Sequence, residues 1–162
     1  MRCLRMSGNM TRCSPLSLIM KKLLALCCFL VVTLALPATE GSGWTTDYKA
    51  ALEQAKADDR RVFLFFTGSD WCGWCKRLNR EILSTSEFNK FADDKLVLVE
   101  LDFPRSKAQT AAVKAQNAEL AQRFKIRGYP TVIVLDSSGK KVGQLGYQRG
   151  GPAPFIEAIG EM

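Results

Sequence analysis

From about residue 47 onward the chain alternates between helical spacing of apolar residues and short, unbroken apolar runs. Tyr48, Ala51, Leu52 and Ala55 recur at helical intervals with polar residues between them, which predicts a helix over 47–57. Asp58-Asp59-Arg60 turns the chain, and the phenylalanine-rich run 61–67 reads as a buried strand. Gly68-Ser69-Asp70 is a loop, and a charged stretch with helical character follows as far as Leu83. Ser84-Thr85-Ser86 interrupts it, with Thr85 or Ser86 placed to cap a short helix through Phe88 and Phe91. Residues 95–102 form a second buried strand, and a polar, alanine-rich helix is expected over 107–124. A third strand spans 131–135, residues 137–140 make a hairpin turn into a strand at 141–147, and a last helix covers 154–159. The order α-β-α-α-β-α-β-β-α predicts an α/β domain, a central mixed sheet flanked by helices on both faces.

The N-terminal part has a different character. Met20-Lys21-Lys22 is basic, and residues 23–36 form an apolar run of 14 residues. A membrane-spanning helix needs about 20. The run fits the apolar core of a signal peptide, with cleavage expected after Ala35 or Ala38. Residues 1–38 are therefore assigned as signal peptide and 39–162 as the working domain, exported to a periplasm or beyond. Residues 1–19 are either an extended basic region or a start placed upstream of Met20. An uncleaved anchor is the alternative and would be the protein's only membrane contact. Lipid attachment at Cys27 or Cys28 fits poorly, since both lie midway along the apolar run. The formal charge of +7 belongs mostly to this segment; from Thr39 on there are 18 Lys and Arg against 16 Asp and Glu. With no basic tract interleaved with aromatics, nucleic acid is not an expected partner.

Of six cysteines, only Cys72 and Cys75 lie beyond the signal. They stand in Trp71-Cys72-Gly73-Trp74-Cys75, between the first strand and the charged helix. A thiol at the mouth of a helix faces unpaired backbone N–H groups and the positive end of the dipole. Such placement lowers a thiol pKa from about 8.5 into the ~3.5–7.5 range. The second thiol lies about one turn on and can close a disulfide with the first. A metal site is the rival chemistry, but two cysteines supply half of a zinc set and the chain has no histidine. Iron–sulfur ligation fails on the same count. A purely structural bridge would close a very small loop and contribute little entropy. Trp71 is expected to pack partly under the motif and Trp74 to stand more exposed as a contact platform. Lys76 and Arg77 either stabilise a thiolate or form the solvated face of the helix.

Three motifs together resemble the thioredoxin superfamily: Trp71-Cys72-Gly73-Trp74-Cys75 after a strand, Ile126-Arg127-Gly128-Tyr129-Pro130-Thr131 before one, and Asp136-Ser137-Ser138-Gly139-Lys140 as the hairpin. The likeness covers about residues 45–162, and Thr67-Gly68-Ser69-Asp70 with Trp74 is more similar to exported bacterial members. The resemblance implies a thioredoxin-like fold, Cys72 as attacking thiol and Cys75 as resolving thiol. It implies a cis Pro130 beside the sulfurs, with the Tyr129 backbone and Trp71 and Trp74 meeting an extended client. It implies thiol–disulfide exchange on protein disulfides or dithiols, with no organic cofactor or metal and with a membrane redox partner. The chain departs from the pattern in three places. Phe65 and Phe66 occupy the strand where thioredoxins usually bury an acid, and Glu100 stands where they often place lysine. Glu100 is then either an outward residue at the sheet end or a buried proton relay with a raised pKa. Trp74 replaces the usual proline, so redox direction cannot be borrowed from the family. Residues 103–116 lengthen the segment after the second strand, as a partner surface or a longer surface helix. The 55 residues from Cys75 to Pro130 leave no room for the large helical insertion of exported oxidases, which favours a reductase. A redox-inert client-binding module is the alternative from another class.

Overall fold

The computed structural model describes residues 43–162. The assignments made for residues 1–38, including the signal peptide, lie outside the described residues. Five strands form one sheet in the order β1-β3-β2-β4-β5. They are β1 (Trp44–Thr45), β2 (Arg61–Thr67), β3 (Leu96–Asp102), β4 (Thr131–Leu135) and β5 (Lys141–Leu145). β1 and β2 flank β3 in parallel, while β4 runs antiparallel to both β2 and β5, so the sheet is mixed as the pattern predicts.

The strands alternate their side chains between two apolar layers. Phe63 and Phe65 of β2 join Cys72, Cys75, Leu78, Phe88 and Phe155 on one face. Val62, Leu64 and Phe66 join Ala51, Ala55 and Leu120 on the other. The first layer is closed by α2 (Gly73–Leu78), α3 (Ser86–Lys95) and α5 (Pro152–Gly160). The second is closed by α1 (Tyr48–Asp58) and α4 (Ala111–Arg123). Helices thus cover both faces, and this is why the central strands read as continuous apolar runs.

Caps set the helix starts. Asp47 accepts the Ala50 N–H at 3.0 Å, Thr85 the Phe88 N–H and Thr110 the Val113 N–H, each at 3.3 Å. Four elements differ from the sequence reading. β1 is too short to show a pattern. α2 runs on into a π-helical turn, Asn79–Leu83, where the Ser84 N–H donates to the Asn79 carbonyl. α4 begins at Ala111 rather than 107, because the backbone of Arg105 and Ser106 is bound to Asp70. α5 begins at Pro152, whose fixed φ suits a first turn and whose missing N–H costs nothing there.

Phe63 meets Trp44, Phe88 and Phe155 at ring separations of 5.9, 5.6 and 6.4 Å. Phe63→Ala is expected to cost about 3–5 kcal/mol in urea unfolding. A loss under about 1 kcal/mol would mean that this layer is not the one holding the fold together.

Candidate active site

Cys72 and Cys75 sit where β2 hands over to α2. Cys72 is the N-cap of α2, and its Sγ accepts the Cys75 N–H at 3.1 Å. The Cys72 N–H donates to the Gly68 carbonyl at 2.8 Å, which fixes the loop that enters the helix. The two sulfurs are bonded, with 5.3 Å between the Cα atoms, and both residues are buried. A sulfur that already accepts a helix-terminal N–H keeps that bond as a thiolate, where charge strengthens it.

Two tryptophans flank the pair, Trp71 at 36% and Trp74 at 54% exposure, so Trp74 is the more open of the two, as expected. Trp71 is fixed rather than loose. Its Nε1–H donates to the Phe103 carbonyl at 2.8 Å, Tyr129 meets it edge-on at 5.7 Å, and the Arg105 guanidinium lies 4.3 Å above its ring. Gly68 leaves room for the indole: a Cβ there would stand 2.4 Å from its Cε2. Trp74 lies 5.3 Å from the Tyr147 ring. Arg77 covers both rings and pairs with Glu81 at 2.8 Å, while the Tyr147 hydroxyl donates to the same carboxylate. Those bonds, the Tyr147 hydroxyl first, hold the Glu81 pKa below its usual value.

The Tyr129–Pro130 peptide is cis. Tyr129 packs against Trp71 and, at 5.3 Å, against Phe103, which brings this turn to the Trp71 side of the disulfide. Glu100 lies opposite Phe65 in the β2–β3 register, on the face that carries the cysteines. With Cys75, Trp44, Ser69 and Lys76 it lines a cleft of about 410 Å³. Burial, then the charge of Asp102, raises the Glu100 pKa, while Lys107 opposes the shift. The structure therefore brings Cys72, Cys75, Trp71, Trp74, Tyr129 and Glu100 into one region. Lys76 Nζ donates to the Asp70 carbonyl at 2.9 Å, and Arg77 pairs with Glu81.

Sequence reasoning missed Gly68, Asp70, Glu81, Arg105 and Tyr147. Only Arg77–Glu81, four apart on a helix, carried a local signal. The lengthened segment after β3 is not a longer helix, since the helix begins only at Ala111. Its first residues are an irregular stretch docked on the Cys72 loop through Asp70 and Trp71.

A bonded cysteine pair at the start of a helix, on this sheet order, defines a thioredoxin-like protein. The family model for a thioredoxin-like domain matches residues 48–158, and the chain belongs to that family. Among its relatives is the disulfide bond reductase DsbH of Chlamydia pneumoniae, 39% identical over 112 residues, 69% of this chain and 68% of that protein. The thioredoxin-related protein DsbJ of Chlamydia pneumoniae is 32% identical over 146 residues, 85% of this chain but 40% of its own length. The solved structure of a DsbH oxidoreductase superposes with a TM-score of 0.70 at 38% identity, covering 73% of this chain and 81% of that one. The chain is homologous to thiol–disulfide oxidoreductases and carries the cysteine pair that such chemistry uses. No helix among the described residues is long and apolar enough to cross a membrane.

Gly68→Ala is expected to drive the Trp71 ring off Phe103 and to cost about 1–3 kcal/mol. Near-ultraviolet circular dichroism and urea unfolding read both effects, and an unchanged spectrum would mean that the indole is not held as described. Glu100 gives a pH prediction. Its raised pKa means that the folded protein keeps this proton to higher pH than the unfolded chain, so stability falls as pH rises between the two values. Glu100→Gln removes that fall. Its Tm should exceed the parent's at neutral pH, with the gap closing in acid below the ordinary glutamate range; a gap that widens in acid would sink the assignment.

Proposed function

We propose that the chain is a thiol–disulfide reductase of protein disulfides in the bacterial cell envelope, exported by a signal peptide within residues 1–38. The observation that carries this reading is the Cys72 sulfur at a helix N-cap, accepting a backbone N–H between two exposed tryptophans. The direction draws support from the relative named as a disulfide bond reductase.

The Cys72 thiolate attacks one sulfur of a client disulfide. A mixed disulfide forms, and the client's other sulfur leaves as a thiolate. Cys75 loses its proton and attacks the Cys72 Sγ, closing the Cys72–Cys75 bond and expelling the second client thiolate. The client gains two electrons and the protein loses two. Glu100 takes the Cys75 proton through the cleft they share; burial raises its pKa, which makes it a better proton acceptor than an exposed glutamate. Trp71, Trp74 and the Tyr129–Pro130 turn hold the client chain extended across the sulfurs. No cofactor or metal enters the cycle. The oxidised protein must be re-reduced, and in an exported setting that needs a membrane protein that carries reducing equivalents across.

The deciding measurement is the reduction potential of the Cys72–Cys75 pair, equilibrated against glutathione and dithiothreitol. A value near about −270 mV supports the reductase. A value near about −120 mV makes the protein a disulfide donor instead. Client capture by a protein with both thiols alkylated would point to a redox-inert binding module.

A further inference from the structure

Disulfide exchange alone does not require the way charge is arranged around the loop that carries Trp71 and Cys72. The carboxylates of this region are tied to backbone. Asp70 accepts the N–H groups of Arg105 at 3.1 and 3.0 Å and of Ser106 at 2.6 Å. Asp102 accepts the Ser69 N–H at 2.8 Å and the Ser69 hydroxyl at 2.6 Å. The cations are left at the surface. Lys76 Nζ rests on the Asp70 carbonyl and Lys107 Nζ on the Ser69 hydroxyl, each at 2.9 Å. The Arg105 guanidinium carbon lies over the Trp71 ring, 4.3 Å from its centroid. All three residues are exposed, and among the described residues none forms an ion pair with a carboxylate. On the Trp74 side both Arg77 and Arg80 lie on Glu81. On the Trp71 side the cations stand outside any ion pair, beside the hydrogen-bonded carboxylates of Asp70 and Asp102.

An unpaired cation at the lip of a reactive site draws anions toward it and raises their encounter rate. A guanidinium resting on an indole still has N–H groups that can meet a carboxylate. It also loses less freedom on binding than a loose side chain would.

We propose that Lys76, Arg105 and Lys107 select the client: an extended polypeptide with an acidic side chain next to its cysteine, the carboxylate seated on Arg105 above Trp71. The inference rests on the exchange chemistry proposed above and names the substrate class of that site.

The test uses the reduced protein and three peptide disulfides that differ only in the residue beside cysteine, Glu, Gln or Lys. Second-order exchange rates are read by acid quench and chromatography. Each is divided by the rate of dithiothreitol with the same peptide, which removes the flank's effect on the sulfur itself. At low salt the Glu peptide should exceed the Lys peptide by about tenfold, with Gln between them. The spread should shrink as salt rises. Arg105→Gln and Lys107→Gln should each narrow it, while Arg105→Lys keeps the order because the charge remains. Lys90→Gln, a cation of α3 that makes no contact with the Trp71 loop, should leave it unchanged. Equal rates for the three peptides, or a spread that survives Arg105→Gln, would overturn the proposal. A wrong redox direction shows itself separately: the order of rates stands, but the equilibrium lies toward oxidised peptide.

Discussion

The site depends on the parallel pairing of β2 with β3. Seven residues of each strand lie in register, from Arg61 opposite Leu96 to Thr67 opposite Asp102. Because the strands run the same way and end together, the chain leaving β2 and the chain leaving β3 emerge side by side. One becomes the Cys72 loop, the other the Phe103–Arg105 stretch. Ser69 then binds Asp102, Asp70 binds the backbone of Arg105 and Ser106, and Trp71 binds Phe103. Such switch points at the carboxyl ends of strands are where α/β sheets place their sites. A slip of one residue in this pair would turn Glu100 to the opposite layer and part the two loops.

The same register accounts for Glu100. Val99 and Leu101 enter the α1–α4 layer, while Leu98 and Glu100 point to the layer that holds the cysteines. β2 carries phenylalanine at 65 and 66, and a carboxyl stands on the neighbouring strand, directly across from Phe65. Residues 62–66 of β2 are thus all apolar, and an acid still lies on the cleft beside Cys75.

Features that depend on neighbours in sequence were legible before the fold was known. The strands show as apolar runs, Thr85 as a cap, and the cysteine pair by its spacing. The cis bond at Pro130 came only from the resemblance, since no local pattern distinguishes it. What stayed hidden rests on distant pairs. Asp70 meets Arg105 across 35 residues, and Tyr147 meets Glu81 across 66. Residues 107–110 read as helix because the stretch is alanine-rich and polar; the Asp70 clasp on Arg105 and Ser106 overrides that local preference. β1, at two residues, carries no period to detect.

Both cysteines are members of an apolar layer rather than ornaments on its surface. That ties folding to redox state through a thermodynamic cycle. The oxidised and reduced forms each have a folding free energy, and the difference between them must equal the shift in the pair's potential relative to the unfolded chain. Each ~1.4 kcal/mol by which packing prefers the closed pair lowers the potential by about 30 mV. A substitution that weakens both forms equally leaves the potential untouched, however much stability it removes. Side chains that feel whether the sulfurs are joined, such as those of the layer shared with Leu78, Phe63 and Phe155, can tune the electron affinity of this protein without touching a cysteine.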